Sequence, residues 1–175
     1  MPRRLRPTSL YCHALGSVLV PLNLFGLTEE IDVLGERWRV KQEFHVTAVH
    51  APWVARRAGT SLAAAWAAIA ATVEGRRAGP VRVREELRCV RRERERTLIV
   101  MVSVDGLGDV YQELSARLGA PLPPPPAHVT LYTRPCGEGI GVHDETDLRD
   151  ITRRLRPAEQ AEVRAAAGLD TVLDL

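Results

Sequence analysis

Residues 127–134 read AHVTLYTR, and they follow PLPPPP at 121–126. Four consecutive prolines cannot donate ladder hydrogen bonds, so the segment before the histidine is an extended, stiff connector. What it delivers is a run with strand character, opened by a histidine and a threonine two places apart. The same tripeptide stands earlier in the chain, at residues 43–49, EFHVTAV. Two of the five histidines therefore open His-Val-Thr, at His45–Thr47 and at His128–Thr130.

Side chains two apart on a strand point to one face. Each tripeptide offers an imidazole and a hydroxyl on one side and valine on the other. Two such strands side by side would line a groove with two imidazoles and two hydroxyls. That set suits a phosphodiester. In-line displacement needs a base on the attacking oxygen and an acid on the leaving oxygen, and histidine has the right ordinary pKa for either task. The hydroxyls can donate to non-bridging oxygens, where charge builds up. One His-x-Thr is weak; two, each within an apolar strand, point to a shared role. The bland reading is two half-buried strands with His and Thr toward solvent.

Between the motifs the pattern is orderly. Arg37 to Lys41 and Phe44 to His50 read as strands, and Pro52 ends the second. Ser61 or Thr60 caps an alanine-rich helix over residues 62–74, with Trp66, Ile69 and Val73 at helical spacing. Residues 81–90 and 97–104 are β-rich runs around the charged tip RRERER, a hairpin with a solvated end. Residues 109–118 form a short amphipathic helix closed by Gly119. Before the first motif, Ser9 to Val20 reads as one buried strand ending at Pro21. After the second come the glycine-rich CGEGIG, helical material from about Asp147, and a last helix from Pro157 to about Gly168.

Composition bounds the rest. At 175 residues one domain over 1–175 is expected, with a real core. A net charge of +2 gives no basic field of the kind that announces a nucleic-acid binder. Of 24 Lys and Arg, Lys41 is the one lysine, an excess of arginine that would suit a phosphate site but reads first as codon bias. Cys12, Cys89 and Cys136 are too few and too scattered for a disulfide framework and read as reduced thiols. MPRRLR followed by an apolar stretch resembles a signal peptide in outline, but Cys12, His13, Pro21 and Asn23 interrupt it and no cleavage site follows. A cytoplasmic protein without a membrane span is expected. His143, Asp144 and Asp147 lack zinc-ligand spacing, so no metal and no cofactor are expected.

With both motifs in hand, the chain resembles the 2H phosphoesterase superfamily, which is defined by two His-x-Thr/Ser-x motifs. FHVTAV and AHVTLY carry the likeness, together with their separation of 83 residues (45 to 128). The order of the intervening elements resembles the LigT-type RNA ligase/cyclic phosphodiesterase branch. The resemblance covers roughly residues 9–134. It implies an α+β, two-lobed fold, with antiparallel sheets forming a central cleft, one motif from each lobe, and helices packed outside. It implies metal-independent action on 2′,3′-cyclic phosphate, 2′-5′-linked or related nucleotide or RNA-end phosphoesters, with His45 and His128 as the acid–base pair and Thr47 and Thr130 as phosphate binders. Strand parity adds Tyr132 and Arg134 to the face of His128 as substrate-binding residues. By the same parity His50, five places from His45, faces away. A monomer with a nucleotide or RNA-end substrate is expected. The alternative is a nucleotide- or RNA-end-binding module with the same cleft and no turnover.

Overall fold

The structure, a computed structural model, describes residues 4–5, 11–13, 16–135, 137 and 139–172. In chain order its elements are β1 (Arg4–Leu5), β2 (Tyr11–His13), β3 (Ser17–Leu22), β4 (Glu30–Val33), β5 (Glu36–Val40), β6 (Phe44–His50), α1 (Ala51–Ala58), α2 (Leu62–Val73), β7 (Val81–Arg92), β8 (Glu95–Val104), α3 (Leu107–Leu118), β9 (His128–Arg134), α4 (Glu145–Asp150), β10 (Thr152–Arg154), α5 (Pro157–Ala167) and α6 (Leu169–Val172). The class is α+β, as the pattern of runs implies.

The described strands belong to one antiparallel sheet in the order β1-β7-β8-β9-β6-β3-β2, with β10 on β7 and the β4–β5 pair on β9. The resemblance implies separate sheets; here the two halves are hydrogen-bonded into one. The join is narrow. β6 and β9 meet at the pair Val46–Val129, whereas β3–β6 and β8–β9 run in register along most of their length.

Local chemistry explains most boundaries. Ser61 accepts a hydrogen bond from Ala64 N and caps α2. That helix buries Ala65, Ile69 and Thr72 on its inner face. Pro52 sits in the first turn of α1, where its missing N–H costs nothing. Ser9 to Val20 is not one strand, because the chain turns at Gly16, whose φ of +79° suits glycine, and folds back as β2 on β3. Pro21 lies within β3, opposite His45 of β6, rather than after its end. The RRERER tip is exposed from Arg91 to Glu95, as a solvated turn should be.

The main core packs Val20, Val46, Leu98, Val100 and Val129 of the sheet against Val54, Ile69, Val110, Leu114 and Val163 of the helices. A second, smaller cluster holds Val90, Ile99 and Met101 of β7 and β8 with Ile140 and Val142 of the segment after β9.

Two irregularities in the sheet decide which side chains meet. Between β3 and β6 the register passes from Leu19–Thr47 to Val18–Val49, so Ala48 is an extra residue on β6. Between β8 and β9 it passes from Ile99–Thr130 to Leu98–Tyr132, so Leu131 is extra on β9. Each β-bulge reverses the alternation of side chains beyond it.

Candidate functional site

Val46 pairs with Val129, and continuing that antiparallel register one residue each way puts His45 across from Thr130 and Thr47 across from His128. Residues opposite each other share a face. The two tripeptides therefore present all four polar side chains on one face, each imidazole across from the other motif's hydroxyl, with both valines turned into the main core. All four polar residues are partly buried. His45 and His128 stand diagonally, a relation that separates side-chain bases by about 7–8 Å in a regular ladder.

The bulges rearrange the neighbours. Beyond Ala48 the parity reverses, so His50, paired with Ser17, rejoins the face of His45 and Thr47. Simple alternation had turned it away. Beyond Leu131 the opposite happens. Tyr132 faces Leu98 in the main core, is fully buried, and donates its hydroxyl to Thr28 O at 2.9 Å. Its environment pushes the phenol up to about 12 through burial. Arg134 follows it away from the site and pairs with Glu36 at 2.9 Å, a carboxylate it shares with Arg96. Tyr132 and Arg134, placed on the motif face by parity, are thus removed from it by the bulge. The trace of both bulges is legible afterwards: Ala48-Val49 and Leu131-Tyr132 are buried doublets that break an alternating strand.

On the motif face a cavity of about 30 Å³ is lined by Thr47, His50, His128 and His143, with Trp53 and Pro125 beside them. It has room for a water or two and none for a phosphodiester. His45 opens instead into a separate groove bordered by Pro21, Asn23, Phe25 and Phe44. The two histidines share a face but not a cavity, unlike the one groove expected of two such strands side by side.

His128 is held firmly. Its Nδ1 lies 2.9 Å from Pro126 O, so a proton on Nδ1 donates to that carbonyl and leaves Nε2 as the acceptor. Burial lowers its pKa, with the Pro126 carbonyl acting in the other direction. The neutral ring is the favoured form. The rings of His50 and His143 stack at 4.2 Å with 9° between their planes. Burial lowers the pKa of His50, helped by the charge of Arg56. His143 is pushed down to about 4 by burial first and by His50 next. Asp144 accepts from Trp53 Nε1 at 3.2 Å and from Asp147 N, which holds its carboxyl below the usual range, the Asp147 amide contributing most.

Beside His128 and over Thr130 the face is covered by the chain itself. Residues 139–143 lie across the face. A Cβ built on Gly139 would stand 2.6 Å from Thr130 Oγ1, so only glycine allows this approach. Ile140 donates its N–H to Thr97 Oγ1 at 3.2 Å, and its side chain and that of Val142 close the smaller apolar cluster. The GEGIG portion of the sequence, with glycine at 137, 139 and 141, is the signal for such a closely applied segment. Cys136, Glu138 and the side chain of His13 lie outside the described residues.

Among the described residues no group of three or more His, Cys, Asp or Glu has a geometry that could hold a metal ion, and no helix is long and apolar enough to cross a membrane. No family model, curated protein or solved structure matches the chain.

Proposed function

We propose that the chain is a metal-independent phosphoesterase of the two-histidine type, acting on 2′,3′-cyclic phosphate, 2′-5′-linked or related nucleotide or RNA-end phosphoesters. The observation that carries the reading is the register about Val46–Val129, which gives each imidazole the other motif's hydroxyl as its neighbour. A two-lobed description, one motif per half, fits a sheet whose halves meet at that pair. His128, neutral and with Nε2 free to accept, suits the general base. It takes the proton of the attacking water. The bond from phosphorus to the leaving ribose oxygen breaks, and that oxygen takes a proton from His45 as the imidazolium. Thr47 and Thr130 donate to the non-bridging oxygens.

Segment 139–143 stands over Thr130, so a phosphoester reaches the hydroxyls after that segment is displaced. His45 and His128 border separate cavities, which favours one second reading, a module that binds a nucleotide or RNA end without turnover. Incubation with 2′,3′-cyclic mononucleotides separates the two. Release of a monoester, abolished in His128→Ala, supports the enzyme. Protection against melting with no product supports the binding module.

A further inference from the structure

The segment that closes the face is fastened by unusual means. Two of its backbone donors go to side chains: Ile140 N to Thr97 Oγ1 and His143 N to Asp147 Oδ2. Two apolar side chains, Ile140 and Val142, hold its middle. Its far end is held by the stack of His143 on His50, a ring that β6 presents because of the bulge at Ala48. His50 Nδ1 is buried with no hydrogen-bond partner. An imidazole pair stacked face to face is stable while both rings are neutral, since a proton on either brings a buried charge beside a ring that offers it no acceptor.

We propose that residues 139–143 are a displaceable strap over the His-x-Thr face, latched by the stacked His50–His143 pair and released when that pair takes up a proton. The inference rests on the reading of that face as a phosphoester site. The groups around the latch come from every element packed on it. His128 of β9, Arg92 of β7 and Arg56 of α1 oppose a charge there, while Asp147 of α4 favours one and Asp144 is occupied by Trp53 and the α4 N-terminus. Burial acts in the same direction as the arginines on both rings.

The direction with pH follows. With the strap closed both rings resist protonation; with it open they regain the ordinary histidine value of about 6.5. Closure is therefore at full strength above about 6.5. It weakens as pH falls from there toward about 4, where His143 takes a proton even in the closed form. Each pH unit within that window multiplies the ratio of open to closed by about tenfold per proton taken up.

Hydrogen exchange read by mass spectrometry on the full chain tests this. After correction for the intrinsic rate, peptides covering 139–143 should exchange on the order of tenfold faster at pH 5.5 than at pH 7.5, with β7–β8 peptides unchanged. His143→Phe keeps a stacking ring that cannot titrate and should remove the difference. Gly139→Ala forces a Cβ onto Thr130 and should open the strap at pH 7.5. Equal protection at both pH values, an undiminished pH effect in His143→Phe, or a Gly139→Ala strap as protected as the wild type would each overturn the proposal. The measurement needs no substrate. A strap that behaves as described in a wild-type protein that cleaves no cyclic nucleotide at pH 5.5 or pH 7.5 removes the phosphoesterase reading alone; cleavage with pH-independent exchange removes the strap alone.

Discussion

Thr47 stands across the β6–β9 join from His128, in a register fixed at Val46–Val129. This relation makes the two motifs one site on paper, and it predicts a coupled mutational pattern. His45→Ala and His128→Ala should each lower turnover of a cyclic phosphate by about 10²- to 10⁴-fold, the worth of a general acid or base. The double variant should lose far less than the product of the two. Full multiplicative loss, measured as kcat/KM, would show two independent groups.

The pH profile should be a bell belonging to the pair. Burial holds the pKa of His128 below 6.5, and a base works only when neutral. In His143→Phe, whose strap does not titrate, activity should therefore rise with pH through a limb below 6.5 and be near its plateau by neutrality; in the wild type, firmer closure of the strap over the same range works against that limb. A rising limb centred above 7 would assign the base elsewhere.

Thr47→Ala and Thr130→Ala each remove one donor to a non-bridging oxygen. By analogy with a single lost oxyanion donor, on the order of 10²-fold or less in kcat is expected. Activity should also survive EDTA, since the residue set needs no Lewis acid. Loss on chelation with recovery on adding Zn²⁺ would redirect the mechanism to a metal.

Tyr132→Phe separates the two placements of that residue. If it faced the site, turnover would fall. Because the bulge at Leu131 turns it into the core, the variant should lose about 1 kcal/mol of stability with the bond to Thr28 O and keep its turnover per folded molecule. Urea titration alongside activity reads both quantities.

Val46→Ala should behave likewise. It trims a fully buried side chain at the join, and about 2 kcal/mol of stability should go with it. The face that carries the chemistry is the other one, so a large loss of turnover in folded protein would mean that the valine also sets the alignment of the motifs.

The sequence carried the helix–hairpin–helix order, the Ser61 cap and the alternation of both motifs, because each rests on local periodicity. Short elements escaped it. β4 and β10 are only four and three residues long, and α1 begins directly at the end of β6, where Pro52 reads as a terminator as easily as a first turn. The placement of His50, Tyr132 and Arg134 failed for one physical reason. Parity counts residues, and a bulge inserts one without changing the hydrophobic character of the run. The role of 139–143 depends on what lies beneath it, which spacing alone does not reveal.

The carbonyl of Pro126 sets which nitrogen of His128 carries the proton, and it belongs to no side chain. Prolines at 123–126 leave that stretch without amide hydrogens, so it joins no ladder and this oxygen stays available to the imidazole. The orienting role that a carboxylate fills in many acid–base pairs is here written into the main chain. An alanine scan would pass over it, because exchanging side chains leaves the oxygen where it is. Replacing the 126–127 amide by an ester, which weakens the carbonyl as an acceptor while keeping every side chain, is the substitution that reaches it.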